Sequence, residues 1–150
     1  MITDNYIKIK MCEQAEEIQE VWRNPFRNKF GDLYWRGNKY LMIPEACILN
    51  TDSHFIPEEE VWLPTQEQLQ EMVLPIFLKR YSTTHALRND SSFIYRMIIE
   101  KFQRWINRSS PSFDEYMAMF NSMNELWLAF VMHEKYNKIW TGEKWVKADD

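Results

Sequence analysis

SSFIYRMIIEKFQRWINR, residues 91–108, and SSPSFDEYMAMFNSMNELWLAFVMHEKY, residues 109–136, follow one another without a gap and decide the fold. In the first, Phe93, Ile94, Met97, Ile98, Phe102, Trp105 and Ile106 recur at helical spacing, and Arg and Gln fill the other positions. That period predicts an amphipathic helix. In the second, Phe113, Tyr116, Met117, Phe120, Met123, Trp127, Phe130 and Val131 predict one long helix with a wide apolar face. Ser112 followed by Glu115 fits a capping box at its start. The link around Pro111 is short, so the two helices are expected to pack as an antiparallel hairpin with Trp105 and Trp127 in one core.

Working outward, two more helices are expected. WLPTQEQLQEM, residues 62–72, opens one behind Thr65, with Gln68 as the partner of a capping box. Its stripe is Leu69, Met72, Val73, Ile76 and Phe77, and Pro75 inside it is expected to kink or end the helix. Near the N-terminus Met11, Ala15, Ile18 and Trp22 predict a helix over 8–23, stopped by Pro25. Two β-hairpins complete the set. FGDLYWRGNKYLMI, residues 30–43, centres on Gly37-Asn38, a two-residue loop suited to a type II′ turn. IWTGEKWV, residues 139–146, centres on Gly142-Glu143. Residues 44–64 are expected to form an irregular connection with a short strand near Cys47 and Ile48. The fold class is thus α+β and mainly helical: about four helices packed with two short β-hairpins.

Composition sets the frame for function. A chain of 150 residues is the length of one ordinary domain, so a single domain over 1–150 is expected. Aromatic residues are 15% of the chain and glycines number only 3, which argues for a packed core and against disorder. The same scarcity of glycine leaves no Gly-rich phosphate loop. The net charge of −4 disfavours nucleic acid as a partner without excluding a local basic patch. MITDNYIKIKMCEQ lacks the apolar stretch of a signal peptide. The longest apolar run, MVLPIFL, is far shorter than a membrane span. Cys12 and Cys47 read as reduced thiols, and together these features point to a cytoplasmic protein with no membrane association.

No catalytic constellation emerges. His54, His85 and His133 are far apart, and HEKYN has Asn137 where a zinc helix needs its second histidine. His133 therefore reads as a solvated residue near a helix end. Glu58, Glu59 and Glu60, like Glu16, Glu17 and Glu20, read as solvated faces rather than an acid–base pair. No Gly-x-Ser-x-Gly elbow occurs. Neither a metal nor a cofactor is expected, and enzyme activity is disfavoured.

Two stretches are candidate binding surfaces. LKRYSTTHALR, residues 78–88, gathers Lys79, Arg80, Tyr81, His85 and Arg88, types used for phosphate contact and base stacking. The plainer alternative is a helix end whose cations favour the dipole. The second is an echo: WRGNKY at 35–40 and WTGEKW at 140–145 both read Trp-x-Gly-x-Lys-aromatic. Trp35, Tyr40, Trp140 and Trp145 could form a platform for a ligand. They could equally be cross-strand pairs at the closest positions of two tight hairpins, an architectural device.

VWLPTQEQLQEM and MNELWLAFVMHEKYNKIWTGEKWV resemble uncharacterised small proteins encoded by phages and prophages of Gram-positive bacteria. Those share the Trp-Leu-Pro and Gln-rich helix start and a C-terminal helix ending in a Trp-x-Gly hairpin. The likeness covers about a third of the chain. It implies a small, non-enzymatic accessory protein that acts by binding another macromolecule, most simply a protein, and it carries over no catalytic residue. Two alternatives are a nucleic-acid-associated protein using the 79–88 region, and a small-molecule-binding module or enzyme with an aromatic-lined pocket.

Overall fold

The computed structural model describes residues 2–23, 33–36, 39–42, 61–81 and 91–148. Among these the order is α1 (Ile2–Gln14), α2 (Glu16–Arg23), β1 (Leu33–Arg36), β2 (Lys39–Met42), β3 (Val61–Trp62), α3 (Gln66–Tyr81), α4 (Ser91–Ile106), α5 (Pro111–Met117), α6 (Met123–Tyr136), β4 (Lys138–Trp140) and β5 (Trp145–Lys147). The class is α+β and mainly helical. The chain divides into two compact units, one of Met1–Thr65 with Glu143–Trp145, the other of Gln66–Gly142 with Val146–Asp150.

In the first unit, the helix expected over 8–23 is two helices. At Ala15 the backbone tightens: Ala15 N–H donates to the Cys12 carbonyl at 3.1 Å, a three-residue turn, and α2 restarts with Glu16 and Glu17 in its first turn, where carboxylates favour the dipole. Met11, Cys12, Ala15 and Ile18 are buried around this break. β1 and β2 pair antiparallel with Trp35 opposite Tyr40 and Arg36 opposite Lys39, so two residues join them, the register expected of a Gly37-Asn38 loop. The turn type itself lies outside the described residues, as does a strand near Cys47. A third strand, unforeseen, comes from Val61–Trp62, which pairs with β1 at Trp35 and Tyr34 and gives the order β2-β1-β3.

The free edge of β3 is closed by a side chain. Gln19 on α2 is 1% exposed. Its Oε1 accepts from Trp62 N–H at 2.7 Å, and its Nε2 donates to the Trp62 carbonyl at 3.0 Å and to the Cys12 carbonyl at 3.0 Å. One primary amide thus pairs with both backbone groups of Trp62 as a neighbouring strand would. In the same unit the Trp145 indole N–H donates to the Met11 carbonyl at 2.9 Å.

In the second unit, α3 buries Leu69, Val73 and Phe77, the expected stripe. Pro75 does not end it; the helix continues to Tyr81. Pro75 and Glu71 are both exposed, so the carbonyl deprived of its bond can turn to water. α4 buries Ile94, Ile98, Phe102 and Trp105. α6 is buried at every position from Trp127 to Met132, which makes it the central helix, packed against α3.

The long helix expected after Pro111 is broken into α5 and α6. Ala118 caps α5, and the chain tightens through Met119 N–H to the Tyr116 carbonyl and Phe120 N–H to the Met117 carbonyl. Ser122 then adopts an extended conformation as the N-cap of α6. Its Oγ accepts from Glu125 N–H at 3.1 Å and donates to Glu125 Oε2 at 3.0 Å, while Asn121 N–H reaches Glu125 Oε1 at 3.5 Å. This Ser122/Glu125 device is the capping box; Ser112 and Glu115 are not, because Ser110 caps α5, accepting from Phe113 N–H at 3.2 Å, and Pro111 fills the first turn.

The break reverses an expected direction. Phe102 meets Trp127 and Phe130, and Trp105 meets Phe130 and His133. Three residues forward on α4 match three forward on α6, so the two run in the same sense rather than as an antiparallel hairpin. α5 supplies the return. Trp105 and Trp127 do share one core, at 5% and 2% exposure. No helix among the described residues is long and apolar enough to cross a membrane.

Candidate functional site

The corner between α4 and α5 forms an open cleft of about 1040 Å³ in the second unit. Its wall is aromatic. Trp105 stands edge-to-face with Phe113 at 5.8 Å and with Tyr116 at 6.4 Å, and His133 from the last turn of α6 lies beside it at 6.2 Å. Sequence explains the arrangement. Trp105 ends the apolar stripe of α4, Ser110 and Pro111 start a new helix at once, and Phe113 and Tyr116, one turn apart, face back onto Trp105. Arg108, in the link, lies over the Phe113 ring at 5.8 Å and has no carboxylate partner among the described residues. Phe113, Tyr116 and His133 are only partly buried, so ring edges are open to a ligand.

Tyr116 adds a polar anchor. Its hydroxyl oxygen accepts from Trp140 N–H at 3.2 Å. Burial pushes its pKa up from 10.0 to about 12, against a smaller lowering by the Trp140 N–H, so the phenol stays protonated at neutral pH and keeps its own hydrogen to donate. The sign of the pH effect follows: the folded state holds this proton more tightly than the unfolded state, so the stability involved is complete below about pH 10 and is lost as pH rises to about 12. One phenol should ionise near pH 12 by ultraviolet absorbance, and Tyr116→Phe should lose less stability than wild type between pH 10 and 12. Parallel alkaline curves for the two proteins would refute this.

A shallower depression of about 640 Å³, lined by Arg80, Lys101, His133, Glu134 and Asn137, adjoins the cleft through His133 and Asn137. Arg80 Nη1 lies 3.3 Å from Glu134 Oε2, and His133 Nδ1 lies 3.8 Å from Glu134 Oε1, beyond hydrogen-bond length. His133 lowers the Glu134 carboxyl below the usual carboxylate value; burial raises it, and Arg80 and Lys101 lower it further. Asn137 caps α6 in the left-handed conformation, φ 53°, where its short polar side chain tolerates positive φ.

The residues singled out in the sequence are dispersed. Lys79 and Arg80 are exposed in the last turn of α3, and Arg80 is paired with Glu134 across to α6. Tyr81 ends α3, its side chain outside the described residues, and His85 and Arg88 lie outside them altogether. Trp35 is half-buried opposite Tyr40, whose side chain is not described. Trp140 and Trp145 are 2% and 8% exposed, which leaves little ring face for a ligand; Gly142 between them takes φ 102°, a conformation glycine adopts at no steric cost. His133, read as solvated, is instead half-buried against Trp105. Trp105, Arg108, Phe113 and Tyr116 were read only as helix face or link. The available signal was the run INRSSPSF, a cation and a helix restart between two aromatic stripes. No family model, curated protein or solved structure matches the chain.

Proposed function

We propose that the protein is a non-enzymatic accessory protein of a phage or prophage that works in the cytoplasm by holding a segment of another protein in the α4–α5 cleft. The observation that carries this reading is the cleft wall: the part-exposed rings of Phe113 and Tyr116 set edge-to-face on Trp105, with Arg108 at the rim having no carboxylate partner among the described residues. Aromatic and Arg side chains are the types that dominate protein-binding hot spots, because they combine large contact area with directed polar groups. The volume is at or above the upper end of small-molecule sites, which suits a peptide segment better than a metabolite. The phage setting rests on the resemblance of residues 61–72 and 123–146, which fall on β3, the start of α3, α6 and the C-terminal hairpin.

Selection from a library of short random peptides tests the reading. Wild-type protein is expected to enrich peptides with a large apolar residue. Phe113→Ala should weaken their binding about tenfold, a change worth about 1.4 kcal/mol. Peptides that bind Phe113→Ala as well as wild type, or a wild-type protein that selects nothing, would overturn the proposal.

A further inference from the structure

The cleft and the depression beside it share His133 and Asn137, so their linings form one continuous band. Arg108 lines only the aromatic half and Lys101 only the other half. Neither has a carboxylate within ion-pairing distance among the described residues, so each keeps a charge to offer a ligand. Phe113 and Tyr116 line the aromatic half, and His133 lines both. Arg80 adds a third cation, held at 3.3 Å by Glu134 but 44% exposed, so a ligand carboxylate could compete for it.

Resting on the cleft as a peptide site, we propose that its ligand is an acidic–aromatic segment of a partner protein, with an aromatic residue seated against the part-exposed rings of Phe113 and Tyr116, which buried Trp105 backs, and carboxylates on either side taken by Arg108 and by Lys101 with Arg80. Charge complementarity selects this occupant over a nucleic acid strand. Glu115 lines the aromatic half and Glu134 the basic half. A phosphodiester backbone carries a charge at every step and would meet both carboxylates. A peptide places its carboxylates singly and meets only the cations. The two halves also give the segment a direction-independent pattern, acid–aromatic–acid, that a plain apolar groove would not select.

Two series of synthetic peptides test the assignment, each with one Trp in a Gly–Ser background. One series carries Glu on both sides of the Trp; the other carries Gln at the same positions. The Glu series is expected to bind wild-type protein at least about tenfold more tightly than the Gln series at low salt. In the Arg80→Gln/Lys101→Gln double variant that preference should fall to the part Arg108 supplies, and adding Arg108→Gln should abolish it, while the Gln series binds all three proteins alike, which also reports that the variants are folded. Equal binding of the two series to wild type would overturn the acidic class and leave the cleft reading standing. Binding of neither series would overturn both. Displacement of the Glu peptide by a single-stranded oligonucleotide, with a steep salt dependence, would overturn the proposal in favour of a phosphate backbone.

Discussion

Gln19→Ala is expected to cost about 3–5 kcal/mol, enough to unfold much of the first unit at moderate urea concentration. The side chain is 1% exposed and supplies partners to both backbone groups of Trp62. Removing it takes these bonds from a buried N–H and a buried C=O, each loss costing about 1–3 kcal/mol, and opens a cavity the size of the lost amide. The Cys12 carbonyl is less affected, because Ala15 N–H still donates to it. Gln19→Glu sharpens the test. It keeps the shape and the acceptor for Trp62 N–H but sets an oxygen against two carbonyls. Its buried carboxyl should titrate above the usual carboxylate range, so the loss relative to wild type should shrink as pH falls through that raised value. Urea unfolding followed by tryptophan fluorescence measures both variants. A cost under about 1 kcal/mol for Gln19→Ala would mean the edge of β3 finds other partners.

Trp127→Ala should cost a comparable amount, about 3–5 kcal/mol, in the second unit. Trp127 stacks on Phe102 with centroids 4.0 Å apart and planes 7° apart, and meets Phe130 edge-on at 5.5 Å. Its removal empties the centre of the α4–α6 contact. Trp127→Phe should be far milder. The indole Nε1 is buried with no hydrogen-bond partner among the described residues, so the smaller ring also deletes an unsatisfied donor. Thermal melts should rank the proteins wild type, Trp127→Phe, Trp127→Ala, with the first two close. A Trp127→Ala loss under about 1 kcal/mol would show that the stack contributes little to stability.

What could be read in the sequence was local. The α3 stripe of Leu69, Val73 and Phe77 and the α4 stripe of Ile94, Ile98 and Phe102 follow from periodicity, which records which face is buried. The β1–β2 register follows from a two-residue loop. The break before α6 did not announce itself, because Phe120 and Met123 keep the apolar period running across a backbone that Ser122 and Glu125 interrupt. The motif Ser-x-x-Glu was present there, but so was Ser112-x-x-Glu115, and only the fold chooses between them. Gln19 looked like one more polar residue beside Glu16, Glu17 and Glu20; its partner is 43 positions away. The cleft was illegible for the same reason. Trp105, Phe113, Tyr116 and His133 belong to three elements whose meeting depends on that break.

The bond from the Trp145 indole to the Met11 carbonyl spans 134 positions, against 43 for Gln19 and Trp62. Closing the longer loop costs about 1 kcal/mol more in chain entropy. The larger consequence is one of timing during synthesis. Helix α4 packs on α3, its neighbour in sequence, and can settle there early, and α6 joins α3 once residues 123–136 have emerged. Met11 is translated long before Trp145, so the contact cannot form until Trp145 has emerged. While the residues between them are being made, the Met11 carbonyl must stay without its indole donor, so an early-made helix is completed late.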